Sequence, residues 1–265
     1  MKLPHTILFT LLTAHGAAFA AAGTDNGPQG GAPLLSLGLG TVVSTTVYAG
    51  EDRRIMPVPL VSYESKRFFW RGISGGVHLV DLDGFSVDAT LSARFSGVKR
   101  KDFGVNELAQ RGINRDLLDN RKDGLDLGIA ATWGGDFGEL EAGVKGDASA
   151  ASKGYEAHLK YGYPVQMDAT RITPHVGVAL MSKKLSNYYF GTMASEVARG
   201  VVDYKPGSAA VPTLGIEVMH PLSGQWMLLG GVSYKVLPKK ITDSPLVKKD
   251  TNGSASLFLG VAKGF

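Results

Sequence analysis

The stretch Phe85-Ser86-Val87-Asp88-Ala89-Thr90-Leu91-Ser92-Ala93-Arg94-Phe95 decides the fold. Phe85, Val87, Ala89, Leu91, Ala93 and Phe95 share one phase, and Ser86, Asp88, Thr90, Ser92 and Arg94 share the other. A period of two residues marks an extended strand with one apolar and one polar face. Length is as informative as period. Ten steps of roughly 3.3 Å, tilted by about 40–45°, rise about 23–25 Å. The apolar band of an outer-membrane barrel is about 25 Å tall, with aromatic residues at both rims. A strand of a soluble sandwich usually has only about 5–6 residues.

Working outward, the pattern recurs at 125–133, 139–149, 154–163, 170–181, 212–221, 225–236 and 254–265, and earlier at 35–47, 56–63 and 67–80. Tyr155 with Tyr163, and Trp226 with Tyr234, bracket two of these segments as Phe85 and Phe95 do the first. Charges keep to one phase. Glu139, Glu141, Lys145 and Asp147 oppose Leu140, Ala142 and Val144, while Glu156, His158 and Lys160 oppose Ala157, Leu159 and Tyr161. A lysine facing lipid at mid-depth costs about 2–4 kcal/mol. The charged phase therefore points inward, and Asp88, Arg94, Glu139, Glu141, Lys145, Asp147, Glu156, His158 and Lys160 are the expected lumen-facing polar residues. The expected fold is all-β: a transmembrane antiparallel up-and-down β-barrel.

Eleven segments follow from pattern alone, and a bacterial barrel has an even number. Splitting 66–80 gives 12 strands, the favoured reading; merging elsewhere gives 10. The long charged segments 97–123, 182–211 and 238–252 then lie on one side, as extracellular loops do. Within them, 105–111 and 193–199 read as short helices.

Residues 1–20 read as a cleaved signal peptide: Lys2, an apolar stretch from Ile7, and Ala18-Phe19-Ala20 as the cleavage site. Residues 21–33 read as a flexible leader and 34–265 as the barrel. The last strand finishes on Phe265, which reads as the terminal signal for the barrel-assembly machinery. Lys263 breaks the phase, sharing a face with Val261 and Phe265, but lies where the cost falls to about 0–1 kcal/mol.

Composition narrows the chemistry. The 265 residues include no cysteine, which removes zinc–thiolate sites and thiol nucleophiles. A net charge of +4 is too modest to argue for nucleic acid. Mean hydropathy is +0.02, and beyond the signal no apolar run is long enough for a spanning helix. The histidines form neither a His-x-x-x-His motif nor a His/carboxylate cluster by spacing, and no nucleophile motif is present. No catalytic, cofactor-binding or metal-binding residue is expected, and the barrel reads as non-enzymatic. The lumen charges either pair and fill a narrow bore or line a small charge-selective path. The basic loops suit contact with outer-membrane lipid and lipopolysaccharide phosphates, or a docking surface.

Particular residues add a resemblance. Gly38-Leu39-Gly40, Tyr48-Ala49-Gly50-Glu51-Asp52, Pro57-Val58-Pro59, Tyr63 and Phe68-Phe69 come first. Tyr189-Phe190-Gly191, Gly200 and Tyr204 follow, then Trp226, Asp243-Ser244-Pro245-Leu246-Val247 and the final Gly264-Phe265. In order and spacing these resemble the MipA/OmpV family of outer-membrane proteins. Lys263 and the basic run Lys99-Arg100-Lys101 depart from its usual pattern. The resemblance implies a bacterial outer-membrane barrel. It also implies a scaffold that brings a murein hydrolase (a lytic transglycosylase) together with a peptidoglycan synthase. A passive small-solute channel and a surface adhesin are the alternatives.

Overall fold

The computed structural model describes residues 35–51 and 53–265; the expected signal peptide (1–20) and leader (21–33) lie outside the described residues. Thirteen hydrogen-bonded segments form one antiparallel sheet. They are β1 (Leu35–Thr45), β2 (Arg53–Glu64), β3 (Phe68–Arg71), β4 (Ser74–Leu82), β5 (Phe85–Arg94), β6 (Gly124–Gly135) and β7 (Gly138–Asp147). After these come β8 (Tyr155–Gly162), β9 (Val165–Met167), β10 (Thr170–Met181), β11 (Ala209–Pro221), β12 (Trp226–Val236) and β13 (Gly253–Gly264). Neighbours in sequence pair in order, and β13 returns to β1, with Ser36 opposite Gly264, so the sheet is a closed cylinder.

Twelve strand positions make up the wall, because β8 and β9 are one strand. Both pair with β10 in a single register, His175 opposite Gly162 and Ile172 opposite Val165. Pro164 has no N–H to give to the ladder and interrupts the strand without displacing it. The segment 67–80 does divide: Gly72, at φ +61°, makes the tight turn between β3 and β4.

Side chains alternate as the pleat requires. Leu39, Leu91, Leu127, Leu159, Leu214 and Leu259 are exposed on the outer wall, where a bilayer supplies the apolar solvent. Trp70, Trp133, Tyr163 and Trp226 are exposed near the end carrying the short turns, and Tyr155 and Tyr234 near the other. Lys263 does face outward, and its ammonium sits 5.4 Å over the Phe265 ring at the membrane edge. Among the described residues no helix is long and apolar enough to cross a membrane.

Short turns at 65–67, 83–84, 136–137, 168–169 and 222–225 occupy one end. Segments 46–52, 95–123, 148–154, 182–208 and 237–252 occupy the other. Four short helices lie in these long segments: α1 (Val105–Ala109), α2 (Lys183–Phe190), α3 (Ala194–Ala198) and α4 (Lys239–Thr242). The expected helices at 105–111 and 193–199 are present in shortened form. Sequence periodicity did not indicate α2, whose Ser182 caps it by accepting from Leu185 N.

Candidate functional site: a two-sided lumen under a packed cap

The long loops are not merely a solvated, charged surface. Val47, Tyr48, Phe103, Leu108, Phe190 and Leu246 belong to one buried apolar cluster that joins four loops above the barrel. Tyr48 packs edge-on against Phe103 at 5.4 Å and stacks on Phe190 at 6.1 Å. Its hydroxyl donates to the Tyr189 carbonyl, and burial pushes both phenols above the ordinary tyrosine range. Arg121 and Glu196 form a buried ion pair that ties loop 95–123 to loop 182–208. Phe190, Val47 and Met181 from this cap also form the ceiling of the lumen.

Below the cap lies a cavity of about 400 Å³ with two unlike sides. One arc, from β12 through β13 and β1 to β2, is largely apolar. Val42, Met56, Val58, Leu60, Leu229 and Ala262 cluster there, with Phe258 against them. Gly260 is tightly packed: a Cβ there would stand 2.6 Å from Leu60 Cδ1 and would push that side chain aside. This apolar arc is invisible to the alternation argument, because β2 is apolar on both faces, with prolines outward and Met56, Val58 and Leu60 inward.

The opposite arc carries the charges, in three groups. Toward the cap, Arg94 meets Asp126 at 2.5 Å and Glu156 at 3.3 Å, and Lys145 meets Glu156 at 3.4 Å. In the middle, His158 Nε2 lies 2.8 Å from Glu141, and Lys160 lies 3.1 Å from Glu217. Under the β3–β4 hairpin, His78 bridges two carboxylates, Nδ1 to Asp88 and Nε2 to Glu64, each at 2.7 Å. Arg71 reaches Glu64 at 3.0 Å and Asp88 at 3.8 Å. Histidine–carboxylate clusters absent from the sequence spacing therefore form in the tertiary structure, because Asp88 lies on the strand next to His78 and Glu64 reaches it from β2 across the short β3.

Of the nine residues expected in the lumen, Asp88, Glu139, Glu141, Lys145, Glu156, His158 and Lys160 line the cavity, and Arg94 is buried in the group nearest the cap. Asp147 does different work at the rim. Its carboxylate accepts from Ser149 N, Ser152 Oγ and Lys153 N, each at 2.9 Å, which fixes the 148–154 turn. Sequence reasoning passed over Glu64, Arg71, His78, Asp126 and Glu217. Asp126 was readable, since it stands out of phase with Leu125 and Leu127. Each histidine of these groups is held by carboxylates, and among the described residues no group of His, Cys, Asp or Glu is arranged to hold a metal ion.

A capped, charge-paired barrel of this topology can be set against known proteins. The profile of the family described as MltA-interacting protein MipA matches residues 37–265. The chain belongs to the MipA family. The MltA-interacting protein of Escherichia coli K12 is 30% identical over 225 residues, covering 84% of this chain and 87% of that one. Outer membrane protein OmpV of Vibrio cholerae is 26% identical over 130 residues, about half of each chain (49% and 51%). Among solved structures, the NanC porin superposes with a TM-score of 0.47 at 7% identity, over 86% of this chain and 100% of that one. This MipA-family protein is an outer-membrane β-barrel whose long loops gather at one end, the kind of end that in bacterial barrels faces the cell exterior.

Proposed function

We infer that this MipA-family barrel is a non-enzymatic organiser that holds murein-remodelling enzymes, a lytic transglycosylase and a peptidoglycan synthase, at the inner face of the outer membrane. The packed cap carries this reading. An apolar core packs over the outer end of the lumen, which favours a plugged barrel over an open pore. The short turns remain as protein surface toward the periplasm. Phe137 and Leu222 on these turns, and Met167 at the end of β9 beside one, are exposed apolar residues suited to a partner. The naming of the 30%-identical relative for its interaction with MltA points the same way.

Photo-crosslinking groups placed at Asp83, Phe137 and Leu222 in living envelopes test the proposal. Recovery of a transglycosylase or a synthase on those turns is expected. Recovery of neither, at any of the three turns, would dispose of it.

A further inference from the structure

The wall of the cylinder is incomplete on one side. β2 pairs with β1 along its whole length, from Leu35 opposite Tyr63 to Thr45 opposite Arg53. On its other edge it pairs with β3 only through Ser62, Tyr63 and Glu64. The β3–β4 hairpin turns back at Gly72, where a Cβ would meet no atom within 4 Å. β4 lines β5 up to Ala93, whose N–H donates to Ile73 O, so above the tip β2 faces the chain that continues from the end of β5, Arg94 to Gly97. The opening is bounded below by Gly72 N donating to Val61 O at 2.8 Å and above by Arg54 Nη1 donating to Gly97 O at 3.1 Å. Seven residues separate Val61 from Arg54, about 23 Å of strand or roughly 16 Å of height at the usual tilt. The window thus occupies the outer half of the membrane-spanning wall.

The chain is adapted to this opening. The Val61 carbonyl points toward the hairpin, so the backbone groups of alternate residues, 59, 57 and 55, point into the window. Two of those three are Pro59 and Pro57, which have no N–H to leave unpaired. An unpaired donor in hydrocarbon is costly, and proline removes it. The same prolines spoil this edge as a template for another β-strand. Outward-facing Ile55 flanks the opening with an apolar side chain. Directly behind it stand inward-facing Met56, Val58 and Leu60, the front of the apolar arc. Exposed Arg53 stands above it at the rim, at the depth of lipid phosphates.

We propose that the window between β2 and the chain after β5 admits a hydrocarbon chain of a bilayer phospholipid laterally into the lumen, where it lies against the arc of Met56, Val58, Leu60 and Phe258. The apolar cap stands over the outer end of the lumen while the window opens on hydrocarbon, so the bilayer is the source we assign to the occupant. A cavity of about 400 Å³ lies within the range of roughly 300–1,000 Å³ for small-ligand sites. The proposal is independent of any periplasmic partner.

The test uses the full barrel in vesicles of phosphatidylethanolamine and phosphatidylglycerol doped with a phospholipid bearing a mid-chain diazirine. After illumination, labelled residues are read by mass spectrometry. Adducts on inward-facing Met56, Val58 or Phe258, besides outward Ile55 and Leu91, are expected. Adducts confined to outward-facing residues would overturn the proposal. Filling the cavity with Val58→Trp, or with Met219→Trp should the first not fold, is expected to lower inward labelling at least fivefold. Outward labelling and the heat-dependent gel shift should be unchanged. Inward labelling that persists undiminished in a folded filled variant would overturn it. A second arm adds a diazirine fatty acid from water to undoped vesicles, and interior labelling by the free acid with none by the phospholipid would refute lateral entry of a bilayer lipid.

Discussion

Arg121 and Glu196 lie 75 positions apart and meet in a two-pronged ion pair with neither side chain exposed to solvent, Nη2 to Oε2 at 2.9 Å. Their remaining polar atoms are also used. Arg121 donates to the carbonyls of Asp119, Tyr188 and Gly191, and Glu196 accepts from the backbone N–H groups of Asp119 and Met193. Removing one partner of such a pair costs about 3–5 kcal/mol, because the other charge stays buried and uncompensated. Arg121→Met and Glu196→Gln should each loosen loops 95–123 and 182–208, seen as faster amide exchange and external proteolysis. The barrel strands should remain protected. The double variant should be less damaged than the sum of the two.

The cap also governs conduction. Purified protein in a planar bilayer is expected to be silent. Glu196→Gln should produce intermittent conductance steps as the cap opens. Discrete, sustained steps from the unaltered protein would instead establish the channel reading.

Lumen charges are mutually dependent. Glu156 is buried between Arg94 and Lys145. Glu156→Gln leaves Arg94 and Lys145 to share the Asp126 carboxylate and should destabilise the barrel, by up to about 3–5 kcal/mol. Pairing it with Lys145→Met should recover part of that loss. The heat-modifiability transition on a denaturing gel reads the difference.

Pro57→Ala with Pro59→Ala restores two backbone donors along the open edge of β2. Unpaired edges invite another strand. The double variant should form gel-resistant dimers joined through β2, detectable by cross-linking at residue 55, whereas the unaltered protein should not.

In the cap, the Ser195 hydroxyl donates to the Asp119 carboxylate at 2.5 Å and Arg199 lies 2.8 Å away. The hydrogen bond first, and then the guanidinium, hold this carboxyl below its usual range. A depressed acid stabilises the folded form above its ordinary pKa, and the contribution is lost as pH falls through the depressed one. Protection of 182–208 from acid protease should therefore persist through pH about 4 and weaken below it. Asp119→Asn should flatten that dependence.

Alternation was enough to reveal strands, because a barrel wall sorts every side chain between hydrocarbon and lumen. Phe85 to Arg94 shows both faces without ambiguity, and the twelve-strand count needed only the Gly72 turn to be recognised inside 67–80. His78 was legible as an isolated residue, but its partners Glu64 and Asp88 depend on how far β3 and β4 extend. The cap was hidden for another reason. Phe103, Leu118, Tyr189 and Leu246 are scattered apolar residues among charges, with no period to betray a shared core.

The sequence by itself determined a membrane barrel, its inward charges and the side on which its long loops lie, since each depends on local periodicity and on the cost of placing charge in lipid. Only the tertiary structure decided that the loops close over the lumen, that one arc of it is apolar, and that the wall stops short beside β2. Those features depend on which distant segments meet and how long each strand pair lasts. No local pattern encodes that, because it is set by packing across the whole cylinder.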